Sequence, residues 1–268
     1  IRVVPGWEVC DPEHPVGQEI FEISGRIIES GQTPDARRSD AVQPIEWGCA
    51  AFFGGFYMEE IVVYVHGKGG SEQEAEHYKA LFPNCEVIGF DYHAQSPWEA
   101  TEEFSGFFTA VRKRCGKLTL VANSIGAFLS LSSLNEKLVD TAYFISPVVD
   151  MEQLICNMMQ WADVSEAELA EKLEIPTTFG ETLSWKHLCY VREHPVSWKI
   201  PTRILYGEKD ALTSMETIKA FAEKNNAELT VMPGGEHWFH TKEQMQFLDY
   251  WIKNRRPCNE TENKDGFD

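Results

Sequence analysis

The sequence lacks a long apolar run and has few basic residues. No stretch approaches the ~20 consecutive apolar residues that a membrane-spanning helix needs. The first ten residues, IRVVPGWEVC, do not contain the apolar segment of a secretory signal. Because 24 Lys and Arg face 42 Asp and Glu, the formal net charge is −18. Nucleic acids and anionic membranes bind basic surfaces, so we expect neither as a partner.

Paired cysteines and phosphate-binding loops are also missing. The seven cysteines are an odd number and none forms a C-x-x-C pair, which disfavours a disulfide framework and a structural zinc site. Gly69-Gly70 lies in neither a G-x-x-x-x-G-K-[ST] nor a G-x-G-x-x-G motif. The spacing of His66, Asp91 and His93 matches no firm metal-binding pattern. We therefore expect a cytoplasmic protein that uses no cofactor and no metal.

Residues 1–57 differ in composition from the rest of the chain. They are rich in Pro, Gly and charged residues and show no sustained periodicity, although Glu19–Ile28 is one candidate strand. Met58 directly precedes the first clear strand pattern. We therefore expect residues 1–57 to form an N-terminal extension, partly disordered; the alternative is that they supply antiparallel edge strands. Residues 255–268 are expected to form an acidic C-terminal tail.

From Ile61 onward, short apolar strand patterns alternate with amphipathic helical patterns. The strand patterns lie at Ile61–Val65, Val87–Phe90, Lys117–Ala122, Thr141–Ile145, Thr202–Tyr206 and Glu228–Met232. Short β-branched runs separated by helices are typical of buried parallel strands. The sequence therefore predicts an α/β fold whose core, residues 58–147 and 200–254, is a mostly parallel sheet of about six or more strands with helices on both faces.

The long interruption between the fourth and fifth strand patterns predicts an inserted helical cap, residues 148–199. It contains helical patterns at Met151–Trp161, Ser165–Leu173 and Leu183–Glu193 and no convincing strand. Its large apolar residues are expected mainly to pack within the cap; they are Met151, Met158, Met159, Trp161, Phe179, Trp185, Tyr190 and Trp198. Trp161 and Trp185, together with His66, are the candidates to line an acyl or aryl pocket.

A serine, an acid and a histidine each follow a predicted strand. Ser124 follows the third strand within LTLVANSIGAFLS, Asp210 follows the fifth, and His237 follows the sixth. The carboxyl ends of parallel strands meet at one edge of a sheet, so these side chains are expected to converge. A histidine can accept the proton of a serine hydroxyl, and a carboxylate on its other ring nitrogen fixes the tautomer. This pattern predicts a nucleophile, an acid and a base in that chain order.

Each of the three residues has a competing interpretation. Ser124 could serve only as the N-cap of the next helix. Asp150 is a rival acid because it also follows a strand, and His240 is a rival base at the start of the last helix. A serine, an acid and a histidine that each follow a strand favour a catalytic role for Ser124. The segment GEKD, residues 207–210, favours Asp210 as the acid.

The same residues resemble the α/β-hydrolase family over about residues 58–254. The segment ANSIG is similar to the nucleophile elbow G-x-S-x-G, with Ala122 in place of the first glycine, and HGKGG resembles the oxyanion loop. The antiparallel strands that usually open the family's sheet are not evident directly before Ile61. The roles that the resemblance implies are nucleophile Ser124, acid Asp210, base His237, and oxyanion donors at the backbone N–H groups of Lys68 and Ile125.

The expected activity is hydrolysis of small to medium acyl or aryl carboxylic esters through an acyl-enzyme on Ser124. The partner would be a small-molecule ester, and the enzyme would be a monomer or homodimer. Hydroxycinnamoyl esters are suggested only by analogy with the family. A carbon–carbon bond hydrolase, a thioesterase and a peptidase are alternatives with the same fold. A ligand-binding protein without turnover is the alternative outside enzymes.

Overall fold

The computed structural model describes residues 2–3 and 57–254. The expectations for residues 4–56, including the strand at Glu19–Ile28, and for the tail at 255–268 lie outside the described residues. Arg2–Val3 forms a short strand that pairs in parallel with Glu228–Met232. One alternative for residues 1–57 was that they supply antiparallel edge strands. The strand described there, Arg2–Val3, is an edge strand but runs parallel to its neighbour.

One parallel sheet organises the described residues. Their strands are β1 (Arg2–Val3), β2 (Met58–Val65), β3 (Glu86–Gly89), β4 (Cys115–Asn123), β5 (Thr141–Ile145), β6 (Glu174–Pro176), β7 (Thr182–Ser184), β8 (Thr202–Gly207) and β9 (Glu228–Met232). Seven of them form the sheet in the order β1-β9-β8-β5-β4-β2-β3, with every pair parallel. The carboxyl ends of β4, β8 and β9 consequently lie at the same edge.

Helices cover both faces of the sheet, as predicted. A short 3₁₀ helix, Glu72–Glu74, precedes the first α-helix. The α-helices of residues 57–254 are α1 (Ala75–Lys79), α2 (Pro97–Arg112), α3 (Ile125–Ser133), α4 (Met151–Trp161), α5 (Glu166–Lys172), α6 (Trp185–Glu193), α7 (Met215–Lys224) and α8 (Lys242–Lys253). None of them is both long enough and apolar enough to cross a bilayer.

The alternation of side chains along β2 explains why two hydrophobic clusters form. Val63 belongs to the cluster that contains Phe104 of α2, whereas Tyr64 belongs to the cluster that contains Trp251 of α8. Successive strand residues point to opposite faces, so a strand that is apolar throughout must be covered on both sides. This confirms the prediction of a parallel sheet enclosed by helices.

The segment predicted to be a cap, residues 148–199 and here called the cap, contains three helices and one β-hairpin. Helices α4, α5 and α6 lie where helical patterns were predicted, although α6 begins at Trp185 rather than at Leu183. The prediction that the cap contains no strand is wrong, because β6 and β7 pair antiparallel with Ile175 opposite Leu183. Each strand has three residues, too few for alternation to be visible, and Pro176 and Gly180 are loop signals in the sequence.

Trp98, at the start of α2, attaches the cap helix α6 to the sheet domain. The Lys186 Nζ atom lies 4.0 Å from the centre of the Trp98 ring, an attractive cation–π geometry. The rings of Tyr190 and His187 pack edge-on against Trp98, with centroids 5.2 Å and 5.8 Å away. Helix α6 therefore contacts the start of α2 through the Trp98 ring.

The buried imidazole of His187 should make the protein less stable in acid. Burial lowers the pKa of His187, and its Nε2 atom has no hydrogen-bond partner among the described residues. The unfolded chain therefore binds a proton that the folded chain excludes, so the free energy of unfolding falls as pH drops below the ordinary pKa of histidine. Between about pH 8 and about pH 5, we expect the melting temperature to fall more steeply for the wild type than for His187→Phe.

His93→Gln provides the matched control for this melting series. The side chain of His93 is 82% exposed, so its replacement removes a histidine from the surface without disturbing the hydrophobic core. We expect His93→Gln to follow the wild type across the series. Parallel curves for the wild type and His187→Phe would contradict the proposed effect of burial.

Candidate active site

Ser124 occupies a strained turn between β4 and α3. Its φ of 51° and ψ of −120° lie in a region that residues other than glycine rarely adopt. The Ser124 N–H donates to the Ile145 carbonyl (3.1 Å), and the Ser124 carbonyl accepts from the Val148 N–H (3.1 Å). These two bonds to the end of β5 and the segment after it hold the strained conformation in place.

Close backbone contact explains why small residues flank Ser124. A Cβ atom built on Gly126 would lie 2.3 Å from the His66 carbonyl oxygen and 3.0 Å from Val65 Cγ1. Ala122, on the other side, is fully buried, so its methyl group is accommodated in the core. The turn therefore requires glycine at position 126 and tolerates alanine at position 122.

Alanine substitutions at two glycines should change stability in opposite directions. Gly126→Ala forces the backbone near His66 to move, so we expect a loss of about 1–3 kcal/mol in the free energy of unfolding. Gly106, in the middle of α2, has open space where a Cβ would sit, so Gly106→Ala should gain about 0.5–1 kcal/mol. Urea unfolding of both variants measures the two shifts. Equal effects at both positions would contradict the close approach at Gly126.

The structure brings Ser124, His237 and Asp210 together. The Ser124 Oγ atom lies 2.8 Å from His237 Nε2, and His237 Nδ1 lies 2.7 Å from Asp210 Oδ2. The side chains of His237 and Asp210 are 8% and 0% exposed. A serine hydroxyl, an imidazole and a carboxylate thus form one continuous hydrogen-bonded series whose inner part is shielded from water.

The hydrogen bonds of Asp210 determine which nitrogen of His237 carries the proton. Asp210 Oδ1 accepts from the Leu212 N–H (2.9 Å) and the Thr213 N–H (3.1 Å), which leaves Oδ2 for the imidazole. An ionised carboxylate can only accept, so His237 Nδ1 must donate. The neutral ring then presents Nε2 as an acceptor to the hydroxyl of Ser124.

Two residues that the sequence did not single out support the loop of the acid. Tyr206, buried in β8, donates its hydroxyl to the Thr213 carbonyl (2.7 Å). Burial, and then the negative charge of Asp210, raise the pKa of Tyr206, so the hydroxyl stays protonated and remains a donor. Glu208 accepts from the Gly234 N–H (2.8 Å) and thereby joins the acid loop to the histidine loop. In the sequence, Tyr206 and Glu208 are marked only by their position at the end of a predicted strand or just beyond it.

The two predicted oxyanion donors belong to segments that lie next to Ser124. Ile125 is the first residue of α3, and Lys68 belongs to a turn so close that a Cβ on Gly67 would lie 3.1 Å from Ser124 Cβ. Within the described part of the chain, neither the Lys68 N–H nor the Ile125 N–H donates to a protein acceptor. Neither N–H group is therefore occupied by another of these residues, and Ile125 lies at the positive end of α3.

Tyr92 and His66 fix the start of this turn. Their rings stack with centroids 4.4 Å apart, and the Tyr92 hydroxyl donates to the His66 carbonyl (3.0 Å). His66 Nδ1 donates to the Gly67 carbonyl (2.8 Å), which occupies one side of its imidazole. Burial raises the pKa of Tyr92, so its hydroxyl also stays protonated. His66, a candidate pocket residue, thus has a clear structural contact within the loop.

The rival acid and the rival base make other contacts. Asp150 is the N-cap of α4, where its Oδ1 accepts from the Gln153 N–H (2.9 Å). The ring of His240 stacks on Trp238 with centroids 4.5 Å apart, and its Nδ1 donates to the Trp238 carbonyl (2.7 Å). The acid that contacts His237 is therefore Asp210 and not Asp150. The base that contacts Ser124 is His237 and not His240.

The two tryptophans proposed for the pocket lie in the cap. Trp161 is 44% exposed and packs edge-on against Phe179 at 6.2 Å, whereas Trp185 is partly buried against the hydrophobic core. A cavity of about 750 Å³ lies between α4 and α7 and reaches Phe128, one turn after Ser124, and Thr213 beside Asp210. Neither tryptophan lines this cavity, and neither does His66.

Comparisons with known proteins show a likeness of structure. No protein-family model and no curated protein sequence matches the chain. Est1E from Butyrivibrio proteoclasticus is 13% identical, with a TM-score of 0.59 over 74% of this chain and 86% of its own. A structure of Est1E with ferulic acid bound has a TM-score of 0.55 at 14% identity, over 74% of this chain and 88% of its own. Alpha/beta hydrolase domain-containing protein 10 from mouse is 16% identical, with a TM-score of 0.53 over 71% of this chain and 87% of its own. These likenesses confirm the fold that the motif resemblance implied.

Proposed function

We propose that this chain, which has the α/β-hydrolase fold, is a serine hydrolase that cleaves small to medium acyl or aryl carboxylic esters. The observation that carries the proposal is the hydrogen-bonded series from Ser124 Oγ through His237 to Asp210, at 2.8 Å and 2.7 Å. A hydroxyl held by a neutral imidazole, itself held by a buried carboxylate, is the arrangement that activates serine as a nucleophile.

In the acylation step, Ser124 Oγ attacks the ester carbonyl while His237 Nε2 accepts the hydroxyl proton. The imidazolium that forms lies next to the carboxylate of Asp210, which stabilises its positive charge. His237 then donates the proton to the oxygen of the departing alcohol, and the acyl group remains on Ser124. The proton therefore moves between serine and leaving group through one ring nitrogen.

The oxyanion that develops during attack would be stabilised by the N–H groups of Lys68 and Ile125. These donors belong to the backbone, so little reorganisation would be needed in the transition state. Losing one such donor typically raises the barrier by about 3–4 kcal/mol. The N-terminal end of α3 adds a favourable field at the same position.

Deacylation repeats these roles with water as the nucleophile. His237 Nε2 accepts a proton from the attacking water, and Ser124 Oγ leaves the acyl carbon and recovers its proton. The products are a carboxylic acid and the free enzyme. Each step uses only protein groups and water.

The cap and the structural neighbours support small acyl or aryl substrates. A residue of the predicted cap, Glu181, contacts Lys68 in the turn beside Ser124, and a cap close to the serine favours a compact ester over a long polymer. Est1E has been solved with ferulic acid, a small aromatic acid. A panel of p-nitrophenyl esters of graded acyl length, a feruloyl ester and a diketone would define the acyl range and separate ester from carbon–carbon cleavage.

Covalent labelling tests the proposal most directly. A fluorophosphonate transfers its phosphonyl group only to an activated serine, and mass spectrometry of the digested protein locates the adduct. We expect a single adduct on Ser124 and loss of ester turnover in proportion to labelling. Labelling at another serine, or turnover that persists in the fully labelled enzyme, would refute this function.

A further inference from the structure

The turn Gly67–Gly70 carries one of the two proposed oxyanion donors, the Lys68 N–H. The Gly70 N–H donates to the Gly67 carbonyl (3.1 Å), which closes the turn. Gly69 has a φ of 73°, in the left-handed region that favours glycine. Three of the four residues are glycines, so Lys68 is the only residue within the turn that has a side chain.

Glu181 lies on a well-ordered turn of the cap hairpin, which we define as residues 174–184. The Thr177 N–H and hydroxyl both donate to the Glu181 carbonyl (2.7 Å and 2.8 Å), and the Glu181 N–H donates to Thr177 Oγ1 (3.1 Å). Leu183, two residues later, is buried in the hydrophobic core. The carboxylate of Glu181 is therefore presented from a backbone that is itself fixed.

An ion pair joins these two structures. Lys68 Nζ donates to Glu181 Oε1, across 113 residues of sequence, and the two side chains are 46% and 32% exposed. Exposed ion pairs of this kind contribute little to the stability of the folded state. The expected effect of this pair is on the local geometry of the glycine-rich turn beside Ser124, which it connects to the cap, and not on the free energy of unfolding.

We infer that Glu181 is a positioning residue that holds the Lys68 turn in the geometry needed by the oxyanion. The inference rests on the proposed function, because it assigns to the cap hairpin a part in the same reaction. Small displacements of a positioned catalytic group cost up to about 100-fold in rate, and the second donor at Ile125 is unaffected. Loss of the ion pair should therefore slow the reaction without stopping it.

Glu181→Gln tests the inference because it keeps the shape of the side chain and removes its charge. We expect kcat for a p-nitrophenyl ester to fall about tenfold while KM changes less than about twofold, since the oxyanion develops only in the transition state. Raising the salt concentration to about 1 M should lower the wild-type kcat towards that of Glu181→Gln, because exposed charges are screened, and should leave the variant unchanged.

Two further variants separate positioning from a general structural effect. Glu168→Gln breaks another exposed ion pair of the cap, Lys172–Glu168 (2.7 Å), and should leave both kcat and its salt dependence unchanged. The double variant Lys68→Glu with Glu181→Lys restores an ion pair of reversed polarity, and we expect it to recover most of the activity lost in either single variant. A purely structural role of Glu181 would lower the melting temperature of Glu181→Gln, whereas a positioning role leaves that temperature unchanged while kcat falls.

Labelling kinetics keep this inference distinct from the proposed function. Phosphonylation of Ser124 also develops charge on an oxygen in the oxyanion site, so Glu181→Gln should label about tenfold more slowly than the wild type. If Ser124 of the wild type is neither labelled nor active, the proposed function fails and the inference fails with it. If Ser124 is labelled and Glu181→Gln matches the wild type in labelling and turnover, the inference alone is overturned.

Discussion

Replacing Ser124 by alanine should lower kcat/KM for a p-nitrophenyl ester by about 10⁴-fold or more. The variant keeps His237 and Asp210 at their hydrogen-bonding distance of 2.7 Å but has no oxygen to form the acyl-enzyme. Any residual turnover would come from water activated by His237 and from binding in the oxyanion site. Steady-state assays with the wild type prepared in parallel measure the loss, and fluorophosphonate labelling should disappear.

The strained backbone of Ser124 provides a control that links this loss to the site rather than to unfolding. Alanine adopts φ 51° and ψ −120° no more readily than serine, so Ser124→Ala should melt within about 2 °C of the wild type. Glycine relieves a strain of the order of 1–3 kcal/mol, partly offset by its more flexible unfolded state, so Ser124→Gly should be about 1 kcal/mol more stable than Ser124→Ala. Both variants should be inactive. Ester turnover by Ser124→Gly would contradict the role of Ser124 as the nucleophile.

Much of the site could be predicted because its residues come directly after strands. Short β-branched runs such as Ile61–Val65 revealed the parallel sheet, and parallel strands all end at one edge. The residues just beyond the third, fifth and sixth runs were therefore expected at that edge, and they include Ser124, Asp210 and His237. The small residue at position 126 added a local signal, since the turn leaves no room for a side chain there.

The contacts that support the site were not visible in the sequence because they depend on packing between distant segments. The hydrogen bond from Tyr206 to the Thr213 carbonyl depends on how the chain turns after β8, which periodicity does not define. The ion pair between Lys68 and Glu181 depends on a hairpin whose strands are three residues long. Nor does the spacing of apolar residues show which face of a cap helix meets the substrate. Trp161, a candidate pocket residue, is 44% exposed and does not line the cavity.

Asp210→Asn should lower kcat/KM by about 10³–10⁴-fold at neutral pH without loss of the fold. Asp210 Oδ1 accepts from two backbone N–H groups, those of Leu212 and Thr213. In the asparagine variant, only the amide oxygen can take that place, so the NH₂ group must face His237 Nδ1. The ring is then forced to accept at Nδ1 and to carry its proton on Nε2. A protonated Nε2 donates to the serine hydroxyl and cannot remove its proton.

Asp150→Asn is the matched substitution, since it makes the same chemical change at the other acid located after a strand. Asparagine caps a helix about as well as aspartate, so α4 should keep its cap and the free energy of unfolding should change by less than about 0.5 kcal/mol. We expect kcat/KM of Asp150→Asn within about twofold of the wild type, because Asp150 caps a helix and His237 has its carboxylate in Asp210. Steady-state assays of both variants on one ester give the ranking. A larger loss in Asp150→Asn than in Asp210→Asn would transfer the role of the acid to Asp150 and would show that the buried pair at 2.7 Å is structural.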